Sequence, residues 1–289
     1  MTGAAQTALL ADGRRLHLNH GPIDIVALAE GNEAEVMAAY SQASMRFVAI
    51  LDELVAELPR LRTPIGAARP LLNGTVARRM VAAVWPHRDA FVTPMAAVAG
   101  AVADDLLAAL VAGRDLSRVY INNGGDIAFH LAAGQSFDAG IVDDADAPAK
   151  DAQVRLAHYM PVRGLATSGW RGRSHSLGIA DAVTVLARSA AEADVAATLI
   201  ANRVDIDHPD ITRAPANSLS DDCDLGDLPV TVAVGELPDE AVEQALAAGL
   251  AHAGVMQAKG PIYSAYLSLQ GRAKTASVMT HLSAAGGVA

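Results

Sequence analysis

The order of patterns between residues 162 and 200 constrains the fold more than any other feature of this sequence. Apolar residues over 162–167 predict a strand, and a polar stretch rich in glycine follows over 168–181. Residues 182–187 are almost wholly apolar and predict a buried strand, after which a helix is expected to begin near Ala190. Two strands separated by a long loop, with a helix directly behind them, indicate a sheet with helices packed against it.

The remainder of the chain continues this alternation of strands and long helices. Two strands over 14–29 should meet at a turn formed by His20, Gly21 and Pro22. Further strands are predicted over 119–121, 127–131, 137–142, 230–234 and 262–270, and helices over 32–58, 74–84, 94–112 and 238–253. The first helix should end before Pro59, and helix 94–112 should begin at Pro94 and stop at Gly113.

These elements predict an α+β fold with antiparallel sheets backed by long helices. The 289 residues suffice for one large domain over 1–289. The similar rhythm of the two halves favours a duplication into two intertwined halves, although no repeat by residue identity is visible.

The charge balance restricts the partners of the chain. Its 22 Lys and Arg residues are outnumbered by 32 Asp and Glu residues, which gives a net charge of −10. Such a chain is not expected to bind nucleic acid through a broad phosphate-neutralising surface. An anionic ligand would have to be held locally, by backbone N–H groups, a few Arg residues or a metal ion.

The single cysteine, Cys223, rules out an internal disulfide and any site built from several cysteines. It lies among Asp221, Asp222 and Asp224, whose charges disfavour a reactive thiolate, so we interpret it as an incidental loop residue. The first ten residues lack a basic segment followed by a long apolar run, and no span of about 18 residues is free of Gly and charge. We therefore expect a cytoplasmic protein without an export signal or a membrane span.

A polar stripe on the helix after Ala190 is the first candidate for chemistry. Asp194, Thr198 and Asn202 are spaced four apart, which places a carboxylate, a hydroxyl and an amide on one face. Such oxygen ligands suit Mg²⁺. The alternative is that Asp194 only interacts with the dipole at the start of its helix.

The loop after the first strand of the 162–200 segment is a second candidate. Gly164, Thr167, Ser168 and Gly169 open it, and Ser174, His175 and Ser176 lie near its far side. Glycine backbone, hydroxyls and the arginines Arg171 and Arg173 suit a phosphate or pyrophosphate, and His175 is a candidate general acid or base. The alternative is a long hairpin loop with a polar surface.

A glycine-rich turn follows the strand at 119–121. Its residues are Asn122, Asn123, Gly124, Gly125 and Asp126. On pattern alone this is a tight β-turn tied by the Asp side chain, and it matches no dinucleotide or Walker fingerprint.

Taken together, the three segments resemble the ApbE family, the FAD:protein FMN transferases. Asn122-Asn-Gly-Gly-Asp-Ile127 is similar to its NaGGD signature, Thr167-Ser-Gly169 with His175 to its TSG…H segment, and Ala193-Asp194…Thr198 to its AD-x-x-x-T helix. An uncharacterised cytoplasmic branch of the superfamily resembles the chain more closely and over nearly its whole length. That likeness is carried by Thr93–Gly100, Ser174–Val185, Ala201-Asn-Arg-Val204 and Asp224-Leu-Gly226.

The resemblance implies a T-fold-like architecture, FAD in a groove, Mg²⁺ on its pyrophosphate, and a Ser or Thr hydroxyl of an acceptor protein that receives FMN. It makes Asp194 and Thr198 metal ligands and His175 and Asp194 the candidate catalytic residues. The residues that it assigns to nucleotide binding are Asn122, Gly124, Gly125, Asp126, Thr167, Ser168, Gly169, His175 and Ser176.

Two departures from the family pattern leave a second function open. The transferases follow their His with DPxTG, whereas Ser176-Leu-Gly-Ile-Ala-Asp181 follows here, and the Lys of their AKG motif is Ala99. One hypothesis is an Mg²⁺-dependent flavin transferase. The other is a non-catalytic protein that binds a flavin, a nucleotide or another anionic metabolite.

Overall fold

The computed structural model describes residues 3–141, 152–172, 174–220, 223–277 and 282–284. The chain divides into two compact units that alternate along the sequence. The first contains residues 1–136, 157–166 and 188–195, and the second contains residues 137–156, 167–187 and 196–289.

The first unit is built on an antiparallel sheet. Its strands are β1 (Gln6–Leu9), β2 (Leu16–His20), β3 (Ile23–Gly31), β4 (Leu116–Asn123), β5 (Asp126–Leu131) and the start of β8 (Gly164–Ser168), adjacent in that order. Alternate residues of β2 and β3 are buried, so one face of the sheet meets the core. Tight connections join β2 to β3 and β4 to β5, as the sequence patterns predict.

Three helices complete the first unit. They are α1 (Glu33–Leu61), α2 (Thr75–Val84) and α3 (Val98–Val111). Helix α3 packs on β4 and β5, and α1 packs on α3 and on β2 and β3. The core side of α1 carries Tyr40, Phe47, Ile50 and Leu54, all buried.

Helix α3 and the turn before it are long and apolar enough, over Pro94–Val111, to cross a membrane by length and composition. Half of this segment is buried inside the structure, and it contains Asp104 and Asp105. Asp105 pairs with Arg46 of α1 at 2.7 Å. Burial and ion pairing on the apolar segment are the features of a core helix.

The second unit contains three sets of adjacent strands. Its strands are β6 (Ser136–Ile141), β7 (Ala152–Ala157), β9 (Ala182–Ala187), β10 (Ile211–Pro215), β11 (Pro229–Val234), β12 (Ile262–Leu269), β13 (Arg272–Ser277) and β14 (Leu282–Ala284). The adjacent sets are β9-β12-β13, β14-β7-β6 and β10-β11, and the pairs with a known register are antiparallel. Helix α5 (Asp239–Lys259) packs on β12 and β13. Helix α4 (Ala190–Ala201) begins in the first unit and ends in the second.

The α+β prediction with antiparallel sheets is confirmed, and most elements lie where the patterns place them. The helix predicted over 238–253 continues to Lys259, and two other helix boundaries were also wrong. Helix α1 continues past Pro59 to Leu61. Because Pro59 has no N–H group, the carbonyl of Val55 lacks its helical hydrogen bond, but Val55 is exposed and its carbonyl can bond water. The segment from Pro94 to Ala97 is a 3-10 turn, and the α-helix begins only at Val98.

Candidate functional site

The start of helix α4 is capped by two side chains, the hydroxyl of Ser189 and the carboxylate of Asp104. Ser189 precedes the helix and its hydroxyl accepts the N–H of Glu192 at 3.2 Å, which is the N-cap bond of a capping box, while the Glu192 carboxylate pairs with Arg188. The carboxylate of Asp104 on α3 accepts the N–H groups of Ala190 and Ala191 at 3.0 and 2.9 Å. The free N–H groups of this helix end are therefore bonded within the protein, so its first turn is not an open anion site.

Gly100 allows α3 and the start of α4 to approach closely. A Cβ atom at this position would lie 2.3 Å from the carbonyl oxygen of Ala190 and 2.7 Å from the nitrogen of Ala191. Since both atoms belong to backbone, neither can move aside without shifting the helix. The contact brings the first turn of α3 next to the first turn of α4.

Asp194 caps α3 in return. Its Oδ2 accepts the N–H of Gly100 at 3.0 Å, and its carboxyl also bonds the N–H of Ala99. These are N–H groups of the first turn of α3, whose own N-cap residue, Ala97, provides no side-chain bond. The N–H groups that bond Asp194 thus lie on a neighbouring helix, so its hydrogen bonds are not explained by an interaction with the dipole of its own helix.

Asp126 meets Asp194 through a hydrogen bond between the two side chains. A bond between two carboxyl groups requires one proton, so the pair carries less than its full negative charge. Desolvation is the main reason that the pKa of Asp194 is raised to about 7. The hydrogen bonds from the N–H groups of Gly100 and Ala99 lower this pKa by less, and the charge of Asp104 raises it further. The Asp194 residue as a whole is half-buried, and its carboxyl group is the desolvated part.

The turn from Asn122 to Asp126 places Asp126 at this point. Gly124 and Gly125 have φ angles of +66° and +110°, the left-handed values that a two-residue hairpin turn requires. Asn122 Oδ1 accepts the N–H of Gly125 at 2.9 Å, and Asn123 donates to the carbonyl of Ala99 at 3.1 Å. The turn is therefore tied both to itself and to the start of α3.

The glycine-rich loop in the second unit is held from its base. The hydroxyl of Thr167 bonds the hydroxyl of Thr184 on β9 at 2.8 Å. A Cβ atom at Gly169 would lie 2.2 Å from the carbonyl oxygen of Asp181, so the two ends of the loop meet tightly there. The carboxylate of Asp181 accepts from Trp170 Nε1 at 3.2 Å and Arg171 Nε at 2.9 Å, and the Arg171 guanidinium lies 4.8 Å from the Trp170 ring.

Asn202 anchors the far side of the loop. Its Oδ1 accepts the N–H of Leu177 at 2.9 Å and the hydroxyl of Ser176 at 3.4 Å, and that hydroxyl in turn accepts the N–H of Gly178 at 3.2 Å. Ser176 is buried, whereas His175 beside it is exposed. The histidine is therefore presented to solvent on a loop whose next residue is fixed.

The predicted site residues are divided between the two units. Asn122, Gly124, Gly125, Asp126 and Asp194 belong to the first, where the structure brings Asp126 and Asp194 together. The second unit contains Thr167, Ser168, Gly169, His175, Ser176 and Thr198. That the predicted site residues of both units line one pocket stays a prediction.

Sequence patterns did not identify the supporting residues Asp104, Asp181 and Asn202 as a group. Asn202 was visible as the last member of the four-residue stripe, but its partner, the backbone of Leu177, was not. Asp104 and Asp181 each bond segments distant in sequence, and no local spacing signals such contacts.

Within the described residues, no three His, Cys, Asp or Glu side chains are arranged to hold a metal ion. Mg²⁺ commonly takes only one or two carboxylates and completes its shell with water and phosphate oxygens. Asp194 and Asp126 supply two carboxylates. The Asp194 carboxylate accepts two N–H bonds and still has free lone pairs, so a cation could replace the proton that the two carboxyl groups share. The residues present therefore fit Mg²⁺.

Comparison with known proteins gives three findings. A family model described as AbpE bacteria matches residues 7–275. A UPF0280 protein of Methanopyrus kandleri is 35% identical over 208 residues, 71% of this chain and 80% of that one, and a UPF0280 protein of Methanoregula boonei is 33% identical over 184 residues, 55% and 74% of the two chains. The apo crystal structure of the flavinyl transferase ApbE from Pseudomonas stutzeri covers 96% of this chain and 94% of its own, with 13% identity and a TM-score of 0.46.

Proposed function

Because the chain belongs to the ApbE-like superfamily, in its AbpE bacteria family and beside the UPF0280 proteins, we propose that it binds FAD with Mg²⁺ and transfers FMN to a Ser or Thr hydroxyl of an acceptor protein. The acceptor oxygen forms a bond to the phosphorus of the FMN moiety. The bond from that phosphorus to the bridging oxygen breaks, and AMP leaves. The hydroxyl proton passes to a base on the protein.

The observation that carries this proposal is the meeting of Asp194, Asp126 and the first turn of α3. These groups come from three separated segments, and the segments that carry Asp126 and Asp194 resemble motifs of the flavin transferases. A desolvated carboxyl pair that holds a proton near neutral pH is suited to exchange that proton for a cation.

Each residue has an expected role in this proposal. Asp194 would hold Mg²⁺ with Asp126 and the hydroxyl of Thr198, and the cation would offset the diphosphate charge and polarise the phosphorus. Thr167, Ser168 and Gly169 would border the nucleotide. His175, exposed on its loop, would donate to a phosphate oxygen or accept the hydroxyl proton.

The net charge of −10 favours a local cation for such a ligand. A diphosphate that approaches this chain is repelled by the surplus of carboxylates, and Arg residues such as Arg46 and Arg118 already pair with Asp or Glu. Binding of FAD is therefore expected to require Mg²⁺.

The proposal is tested by AMP release from FAD. The purified chain is incubated with FAD, Mg²⁺ and Ser- or Thr-containing peptides, and AMP is measured by chromatography. Asp194→Asn should abolish release. Asp104→Asn is the matched control, because Asp104 caps α4 as Asp194 caps α3 but has no predicted metal role. It should retain release, and its Mg²⁺ affinity should change far less than that of Asp194→Asn, because Asp104 acts on Asp194 only through its charge.

A non-catalytic binding function is the second candidate. It is favoured by Ser176, which follows His175 where the transferases begin their DPxTG segment and whose hydroxyl bonds Asn202 and Gly178. It predicts a rise in melting temperature with FAD but no AMP with any acceptor. If FAD neither stabilises the chain nor yields AMP, with or without Mg²⁺, both functions are contradicted.

A further inference from the structure

A cavity of about 510 Å³ lies in the first unit, between the turn that joins β1 to β2 and the start of α1. Its charged lining residues are Arg14 from the turn, Glu30 from β3, Glu33 from α1 and Arg118 from β4. The volume falls within the range of about 300–1,000 Å³ that is typical of pockets for small molecules. The cavity is therefore large enough to hold a small ligand.

The cavity is separate from the candidate site at Asp126 and Asp194. Arg118 lies opposite Glu30 in the pairing of β4 with β3, whereas the turn that carries Asp126 follows Asn123 at the other end of β4. The stretch of strand from Arg118 to Asn123 is about 17 Å long. A ligand in this cavity would thus be distinct from the nucleotide of the proposed function.

Tyr40 of α1 fixes the shape of the cavity. It lines the cavity and is 4% exposed. Its hydroxyl donates to the carbonyl of Arg14 at 2.6 Å and accepts the N–H of Ala29 at 3.0 Å. Because these bonds hold the turn and the end of β3 against α1, the cavity is formed before any ligand binds.

Arg14 is the cation of the lining that keeps donors for a ligand. The Nε and Nη2 atoms of Arg118 bond Glu30 Oε2 at 2.6 and 2.5 Å, so these two residues neutralise each other. The Nη2 atom of Arg14 lies 3.6 Å from Glu30 Oε1, which is beyond hydrogen-bond distance, and its side chain is 70% exposed. The guanidinium of Arg14 can therefore bond another anion.

Glu33 is the corresponding anion. It is exposed in the first turn of α1, a favourable place for a carboxylate, and within the described residues it forms no ion pair. Arg14 and Glu33 thus line one cavity with opposite charges and yet remain too far apart to pair. A ligand that carries both charges would satisfy the two residues together.

We propose that this cavity binds an α-amino acid with an apolar side chain. The ligand carboxylate accepts from Arg14, and the ligand ammonium donates to Glu33. The apolar side chain packs on Val36 and Met37, which line the same cavity. Met37 is 51% exposed, so the ligand would remove apolar surface of the protein from water.

Other classes of ligand fit this lining less well. The lining contains two Arg and two Glu residues and has no net charge, so a diphosphate would be repelled by Glu30 and Glu33 as much as it is attracted by the arginines. A purely apolar molecule would displace water from the charged groups without replacing its hydrogen bonds. A molecule with a single charge would leave either Arg14 or Glu33 uncompensated.

Isothermal titration calorimetry of the full chain with L-leucine tests the proposal. The expected dissociation constant is on the order of 0.1 mM, as suits a ligand of few atoms. The analogue 4-methylpentanoate lacks the ammonium group and 3-methylbutylamine lacks the carboxylate, and each should bind at least about tenfold more weakly. The titration contains no FAD, so its result does not depend on the proposed flavin chemistry.

Substitutions test the two charged groups. Arg14→Gln and Glu33→Gln should each raise the dissociation constant of L-leucine about 10- to 100-fold, since each removes a hydrogen bond between charged groups. Arg69→Gln and Glu240→Gln are the matched controls, because they make the same changes of charge at exposed positions outside the cavity. Glu240, like Glu33, lies in the first turn of its helix. The controls should bind L-leucine as the unchanged chain does, and all four melting temperatures should change little.

Three results would overturn the proposal. The first is no heat of binding at L-leucine concentrations up to about 10 mM. The second is equal binding of L-leucine and either single-charge analogue. The third is a dissociation constant that Arg14→Gln or Glu33→Gln leaves unchanged.

Discussion

At the scale of single residues, Asp194 and Asp104 have reciprocal structural roles. Each carboxylate accepts backbone N–H groups from the first turn of the helix that carries the other. Both carboxyl groups have a pKa raised by desolvation. They differ in their neighbours, since Asp194 also meets Asp126. The proposed chemistry depends on this difference, because Asp194 could cap α3 without Asp126 beside it.

Gly100 is the residue at which a single methyl group should disturb this arrangement. Gly100→Ala places Cβ 2.3 Å from the Ala190 carbonyl oxygen, so α3 and α4 must separate. We expect a loss of about 1–3 kcal/mol in the free energy of unfolding, measured by urea denaturation. Gly254→Ala is the matched control, since nothing lies within 4 Å of that position on α5. It should stabilise the chain by about 0.4–1 kcal/mol. Equal effects at both positions would contradict the close contact.

Asn202 should contribute to both stability and ligand binding. Asn202→Ala removes the acceptor for the partly buried N–H of Leu177, which should cost about 1–3 kcal/mol in the free energy of unfolding. The loop that carries His175 also loses its anchor, so the FAD dissociation constant should rise. Asn217→Ala, which removes an exposed bond to Asp227, should change stability by less than about 0.5 kcal/mol. Unchanged FAD binding in Asn202→Ala would separate the loop from the ligand site.

At the scale of elements, the helices differ in how they are stabilised. Helix α1 depends on its packed inner face, α3 and α4 on reciprocal caps, and α5 on a left-handed C-cap at Gly260 with a φ of +93°. Helix α5 also carries exposed ion pairs to β13, such as Glu243 with Lys274 at 2.6 Å. Exposed pairs of this kind contribute little stability in salt, so the buried face of α5 is the part that holds it.

His252 on α5 should make the chain sensitive to acid. Desolvation lowers its pKa below the ordinary 6.5, and the positive charges of Arg203 and Lys259 lower it further. A lowered pKa means that the neutral form is favoured in the fold, so its stabilisation is present above about pH 6.5 and is lost as the pH falls through the folded-state pKa. His252→Gln should therefore reduce the slope of the unfolding free energy against pH between 7 and 5. Parallel slopes for the two proteins would show that His252 does not titrate with folding.

At the scale of the whole molecule, charge decides which partners are compatible. The chain has ten more acidic than basic residues, and Arg46, Arg118, Arg171 and Arg272 are engaged with carboxylates. Phosphate ligands must therefore be held locally, by backbone N–H groups, a few Arg residues or a bound cation.

Duplex DNA and RNA should not bind. Fluorescence anisotropy with a labelled duplex at about 50 mM salt should show no change at protein concentrations up to about 10 µM. Binding that weakens as salt rises would contradict this expectation, since it would reveal a basic surface that the charge balance does not suggest.

The sequence by itself determined the α+β class, the order of the long helices, and the three motifs that identify the family. Apolar periodicity and turn residues are local signals, so β9 and α4 were predicted at their observed positions. Strands whose residues are exposed or polar, such as β1 and β13, have no such signal and were missed.

Only the tertiary structure decided which side chains meet. The bond of Asp194 to Gly100 spans 94 residues of sequence and that of Asp104 to Ala190 spans 86, and no spacing rule reaches so far. Long-range contacts depend on how the packed elements bury one another, and that information exists only in the folded chain.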